Sequence, residues 1–298
     1  MNQNRKQSIL YAHTAALLFG GTALFAKMIT LPAEVITFWR AAISILVMLS
    51  LCALRRQTLR LERKRDAWMQ IGLGLILGIH WATYYGAIQL SSVAIGVTAL
   101  YVSPILSVLI ESAIRRVWPD AIDLLLGGIV FIGVLCLVPD LNWENDYTKG
   151  ILLGVVSAFF LTVRQILHTK TRAKHSSGLV LLFYQLIGIS LLFAFFGLKT
   201  DPSALSNNWV PLVLLGVFFT AAPHFCNISA LRNLEAKTTL IITSLMVPYG
   251  IVLGALILDE IPDLKTLIGC ALIMIAATTE NLRAGREQKI PPQQSVQH

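Results

Sequence analysis

The chain is short of charge. Only 13% of its 298 residues are Asp, Glu, Lys or Arg, about half the ~25% usual in a soluble domain. With 55% hydrophobic residues and a mean hydropathy of +0.69, too little polar surface remains to keep the chain in water. A cytosolic enzyme and a disordered polypeptide are both excluded. Cysteine is scarce as well. Cys52, Cys136, Cys226 and Cys270 sit inside apolar runs with no CxxC pair, so buried thiols are expected and neither a metal site nor a cofactor is. HExxH, GxSxG and GxxxxGK[ST] are missing, and no aspartate falls in the middle of an apolar run. Without them a zinc protease, a serine hydrolase and an ATP-driven pump have no machinery. The protein is not expected to be an enzyme.

What the sequence has is length of apolar run. A bilayer core of about 30 Å needs about 20 apolar residues per helix. Ten stretches meet that need: 8–28, 34–54, 67–89, 92–114, 120–138, 150–169, 178–197, 209–231, 236–258 and 263–282. They do not alternate with period two, so helices and not barrel strands are expected. The first run follows Arg5 and Lys6 as a signal peptide would, but no small-x-small cleavage site follows it. It reads as a retained first span. The predicted fold is an all-α polytopic membrane protein.

The cations orient it. With the amino terminus inside, eighteen of the 24 Lys and Arg residues fall in or beside inner connections. Only Lys27, Lys149, Lys199 and Lys265 fall outside, while Arg40 and Arg164 lie within spans. That asymmetry is the positive-inside pattern. It accounts for the net charge of +8 without any nucleic-acid partner. Both termini are expected in the cytoplasm of a multi-pass inner (plasma) membrane protein.

Residues 78–104 lie over 222–248 at a constant offset of 144: His80-Trp81 on His224-Phe225, Thr83 on Asn227, Pro104 on Pro248. Each half then holds five spans. The halves are 8–138 and 150–282, with 283–298 as a cytoplasmic tail. Because five is odd, the second copy is inverted relative to the first, an architecture of secondary transporters whose substrate site lies near the midplane.

His80 and His224 fall near mid-membrane, where polar groups are costly and face a cavity or each other. Each could bond a substrate carboxylate, take a coupling proton, or only bond a neighbouring helix. Spacing of four puts Tyr84 on the face of His80 and Tyr85 on that of Trp81. Tyr101, beside Ser103-Pro104, and Asn227 complete the candidate substrate-binding set with His80, Trp81, Tyr84, His224 and Arg40. Arg40 either attracts an anion or locks helices by bonding carbonyls. Arg164 is close enough to the inner face to snorkel, and Glu111 to pair with Arg115. Pro104 and Pro248 each remove a mid-span backbone bond and mark candidate hinges.

These residues carry a resemblance. Phe19-Gly20-Gly21 with Lys27, Arg40, Ser91-Ser92-Val93-Ala94 leading to Pro104, Tyr184-Gln185, and Pro248 followed by Glu260 and Gly269 resemble the EamA-type ten-helix permeases of the drug/metabolite transporter (DMT) superfamily. Two positions depart from that pattern: Phe19 stands where a tryptophan is usual, and Arg115-Arg116 where a glutamate is usual. The resemblance implies a secondary transporter of small organic metabolites such as amino acids or related compounds, with export favoured over import. Its partners would be the solute, the bilayer and protons as coupling ion; a homodimer is one possible assembly. The alternatives are a broad-specificity drug or cation exporter, which needs a membrane-embedded acid, and a vitamin- or nucleoside-type uptake permease.

Topology is directly testable. In a background lacking the four native cysteines, single cysteines at Arg60 and Asn145 should label from opposite sides of the membrane. Labelling of both from the outside would overturn the ten-helix reading.

Overall fold

Several helices start where the sequence supplies a side chain to take over their first amide groups. The Asp201 carboxylate accepts from the Ser203 N–H at 2.9 Å, and Ser92 Oγ from Ile95 N–H at 3.3 Å. Asp263 accepts from Thr266 N–H at 2.7 Å, and Asp120 from Asp123 N–H at 2.8 Å. Short oxygen-bearing side chains do this at helix starts because the first amides have no partner within the helix.

The computed structural model describes residues 3–54, 56, 58–137, 144–169, 171, 178–230, 234, 239 and 242–287. Span one is Gln3–Thr22 continued by Phe25–Met28, span two Ala33–Leu54 and span three Lys64–Leu90. Span four is broken into Val93–Ala99, a 3₁₀ turn Leu100–Val102 and Ser103–Arg115. Ala121–Leu137, Asp146–Thr169 and Gly178–Leu198 form spans five to seven. Span eight runs Pro202–Gly216, then a π-helical turn Val217–Ala221, then Ala222–Ala230. Met246–Leu258 and Leu264–Glu287 belong to spans nine and ten. Much of the expected start of span nine, residues 139–143 of the loop between the halves, and the tail from 288 lie outside the described residues.

Among the described residues, seven helical stretches are long and apolar enough to cross a membrane. Shorter apolar helices at Ala121–Leu137, Met246–Leu258 and Leu264–Thr279 stand at the places of spans five, nine and ten. Span eight begins at Pro202 and not near 209, because Asp201 caps it and Pro202 fits its first turn.

The packing repeats itself under exchange of the halves. Span three lies against six as one lies against eight; three against seven as two against eight; one against nine as four against six. Spans two and seven, four and nine, and five and ten are each packed together. Ser103–Arg115 of span four and Met246–Leu258 of span nine are 13 residues each, and both end on a left-handed residue, Arg116 and Asp259, each with φ 56°. Alternation of direction is visible too. Lys27, Gln89, Ser91, Val93, Glu260, Leu31, Thr30 and Asn208 meet at one end of the bundle. At the other end Arg283 of span ten clamps Asp120 at 2.7 Å and Asp123 at 2.8 Å, before and within span five. The Asp123 N–H and this arginine hold the Asp120 carboxyl below its ordinary range.

Small residues let the helix backbones touch, which is how helices associate without a hydrophobic drive between them. A Cβ on Gly188 would sit 3.0 Å from Gly74 Cα and would collide with the Ile71 carbonyl. One on Gly20 would lie 2.6 Å from the Met246 carbonyl and 2.9 Å from Gly250 N. Gly72, on the same helix as Gly74, has nothing within 4 Å. Gly188→Ala should therefore lower the stability of the purified protein by about 1–3 kcal/mol, while Gly72→Ala leaves thermal unfolding within error of the parent. Equal unfolding of the two variants would show that the crossing of spans three and seven is looser than described.

Candidate functional site

The centre of the bundle is organised around one cation. Arg40 of span two is 4% exposed. Its guanidinium carbon lies 3.8 Å from the Trp81 ring centroid and 5.2 Å from that of Tyr85. Four-residue spacing on span three places these rings one turn apart on a single face, and each offers a negative π surface to the cation. Tyr85 is fixed in turn, its hydroxyl donating to the Thr22 carbonyl of span one at 3.1 Å. His80 and Tyr84 occupy the adjacent face, rings 6.2 Å apart and nearly parallel.

Arg40 does not lock onto a helix carbonyl. Its Nε donates to the Thr220 hydroxyl at 3.2 Å, and no carboxylate among the described residues pairs with it. Thr220 is placed by the π-helical turn: its hydroxyl donates to the Leu215 carbonyl, five residues back, at 2.8 Å. The extra residue of such a turn re-aims the side chains around it, a frequent device at functional sites. The turn is held by its neighbours, Thr22 Oγ1 donating to the Phe219 carbonyl at 2.8 Å and Ser44 Oγ to the Gly216 carbonyl at 2.8 Å.

The two histidines share a position in the repeat but not an environment. His80 Nδ1 lies 3.0 Å from the Ser157 carbonyl and 2.8 Å from its hydroxyl, while that hydroxyl donates to the His80 carbonyl at 2.9 Å. With the serine proton used this way, the network assigns the ring proton to Nδ1. His80 clasps span three to span six. His224 is half-buried, stands edge-on to Phe19 with centroids 5.1 Å apart, and makes no hydrogen bond among the described residues. Asn227, one turn further on, is half-buried and likewise unbonded.

Tyr101 is engaged, its hydroxyl donating at 2.7 Å to the Ser244 carbonyl in the turn before Met246. Both prolines stand at the start of a segment and not within an unbroken helix. Pro104 follows the 3₁₀ turn in the first turn of Ser103–Arg115, and Pro248 is third in Met246–Leu258. At such positions proline costs little, so the break lies in the turns before the prolines. An apolar cavity of about 340 Å³ lies beside this centre, between Val47, Met48 and Leu51 of span two, Leu179 of span seven, and Phe218 and Phe225 of span eight. None of the candidate substrate-binding or hinge residues lines it.

Arg164 corrects an expectation. Instead of snorkelling, it turns inward and donates from Nη2 to Gln185 Oε1 at 2.5 Å; Gln185 Nε2 then donates to Gln70 Oε1 at 2.7 Å. Both glutamines are fully buried. Glu111 does pair with Arg115, at 3.3 Å on an exposed helix end. Thr220, Ser157 and Gln70 were beyond sequence reasoning, since a hydroxyl or amide in an apolar run carries no signal of what it will face. At the opposite end Lys27 Nζ donates to the Ser91 carbonyl at 2.8 Å and lies 3.7 Å from Glu260, whose other oxygen accepts from Val93 N–H at 2.7 Å. This latch joins spans one, three, four and nine.

Among the described residues, helices at the places of all ten spans, packed as two matching sets around a buried polar centre, define a multi-pass membrane protein. The EamA-like transporter family model matches residues 6–138 and 148–279, and the chain belongs to that family, one of transporters and not of enzymes. It is 24% identical over 287 residues to the uncharacterized transporter YxxF of Bacillus subtilis, covering 91% of this chain and 88% of that protein. It is 25% identical over 283 residues to the pseudopaline exporter CntI of Pseudomonas aeruginosa, covering 91% and 94%. A solved crystal structure shares the fold at a TM-score of 0.62 and 20% identity, over 95% of this chain and 99% of that one.

The histidine asymmetry has a measurable consequence. His80→Ala and Ser157→Ala should each lower thermal stability, by about 0.5–2 kcal/mol for an interhelical bond in a membrane protein, and should couple in a double-mutant cycle. His224→Ala should unfold with the parent. Independent effects of the first two substitutions would remove the clasp.

Proposed function

We propose that this EamA-like protein is a secondary transporter that exports small organic metabolites, amino acids or related compounds, across the inner (plasma) membrane, with both termini cytoplasmic. The observation that carries the reading is Arg40, a buried cation cradled by two aromatic rings, held by one hydroxyl and lacking a carboxylate partner. A charge in a low-dielectric interior is costly unless something pairs with it, and a carboxylate-bearing solute is what would pair with it. Trp81 and Tyr84 provide flat apolar walls, while His224 and Asn227 offer unbonded polar groups on one helical face. Protons as coupling ion are part of this reading, and the imidazole of His224, which no hydrogen bond among the described residues engages, is the ring left free to meet one.

Alternating access needs one end to close while the other opens. The Lys27–Glu260 latch joins the halves at the end that the lysine and arginine distribution puts outside, so that opening this end requires breaking it. The turns before Pro104 and Pro248, at matching places in the repeat, are the flexible joints of that movement. A cation exporter would place an acid among buried residues, and no aspartate or glutamate among the described residues is buried. That a relative is named an exporter favours export.

The test is flux in proteoliposomes, with and without a proton gradient, for a panel of amino acids, carboxylic acids, their primary amides and diamines. At least one solute should move. Arg40→Gln should reduce its flux tenfold or more, equivalent to about 1.4 kcal/mol, at unchanged expression. Parent protein that moves nothing in the panel, in either direction, would overturn the reading.

A further inference from the structure

The anchoring of solute at Arg40 leaves a second cation within a span, the half-buried Arg164, without a role. Arg164 lies seven residues from Ser157 and four from His168 on span six. At 100° per residue these positions form one stripe, with Arg164 roughly 10 Å along the helix from the serine that clasps His80. The stripe leads from the bundle centre toward the end where Arg283 clamps span five.

Its donors are in excess. Arg164 Nη2 is satisfied by Gln185, and Gln185 by Gln70, yet Arg164 Nε and Gln70 Nε2 are sealed from solvent with no acceptor. The Nδ1 of His168, one turn further along the stripe, is equally sealed and unpartnered. Leaving such groups unpaired is expensive, and no buried carboxylate among the described residues offsets them. Two N–H donors and an imidazole without an acceptor, around a guanidinium, form the complement of an anionic oxygen group. A purely structural arginine would have its donors used up by the helices it joins.

We propose that Arg164, with Gln70 and His168, is an anion-binding station through which a carboxylate-bearing cargo passes on its way between the Arg164 end of the bundle and Arg40. The inference rests on the transport reading and narrows it: the cargo is an organic anion or a zwitterion led by its carboxylate. Two cations spaced along one route hand a carboxylate from one to the other without leaving it unpaired. Neither presents a favourable surface to a diamine.

The test is equilibrium binding to the purified protein, followed by thermal shift and calorimetry, with benzoate, glutarate, citrate and leucine against the matching primary amides and 1,5-diaminopentane. At least one acid should bind, with its amide and the diamine at least tenfold weaker. Arg164→Gln should weaken that acid tenfold or more, and Arg164→Lys less. His168→Ala, which removes a ring whose Nδ1 bonds to nothing, should fold as the parent and weaken the acid several-fold. Acids and amides binding alike, or an acid affinity unmoved in a folded Arg164→Gln and in His168→Ala, would overturn the station and leave Arg164 a helix tie. A lipid phosphate has the same chemistry. Competition of the acid by phosphatidylglycerol, with acid flux in phosphatidylcholine vesicles equal in parent and Arg164→Gln, would assign the site to lipid and overturn the proposal. Flux of amides or diamines as fast as acids would sink the anionic cargo while transport itself stood; no flux of any solute would sink both.

Discussion

A bilayer core offers no hydrogen-bond partner, and every irregularity of this bundle is arranged around that fact. Among the described residues, spans one, four and eight and the start of span nine depart from regular α-helix, and near each departure a hydroxyl takes a carbonyl, as Tyr85 takes that of Thr22 in span one. Thr22 and Ser44 take those of Phe219 and Gly216 in and before the π-helical turn. Tyr101 takes that of Ser244 before span nine, and Thr162 that of Ser103 after the 3₁₀ turn of span four, at 3.2 Å. Exposed to lipid, each break would leave a polar group in hydrocarbon; inside protein it is stable. The breaks are thereby confined to the centre, where they can place functional groups.

Close backbone approach is the second requirement. A hydroxyl side chain is short, so it reaches a carbonyl of the next helix only where small residues bring helices together. Gly21 faces the Phe219 ring so tightly that a Cβ there would collide with it, and this is the same contact region in which Thr22 reaches Phe219. Packing and polar satisfaction are one arrangement here. The π-helical turn so held presents Thr220 to Arg40, which couples span-one glycines to the electrostatics of the centre.

The charge pattern sets the chemistry. Acids lie at helix ends, where Asp120, Asp123 and Glu260 tie spans together, while the buried charges among the described residues are cationic. In a low-dielectric interior that imbalance leaves a positive potential that favours an anion over a cation. The internal repeat supplies the frame, but the two halves have diverged within it: His80 became a clasp, while its counterpart His224 kept its ring free.

Much of this was legible in the chain itself. Run length gave the spans, the distribution of lysine and arginine their expected orientation, and the odd number of spans per half the inversion, because each depends only on composition along one helix and its distance from the ends. The stacking partners on span three followed from spacing alone. What the chain could not reveal is which group meets which across helices. Arg164 reads as a snorkelling residue until Gln185 is seen beside it, and the two histidines read as equals until Ser157 is found against only one. The π-helical turn at 217–221 has no composition of its own; it exists because Thr22, Ser44 and Arg40 are there to stabilise it. Single-helix properties are periodic and therefore written in sequence, whereas a buried polar contact is a pairing between distant residues. Only the tertiary structure decides it, since in lipid each polar group must find the partner that the packing leaves within reach.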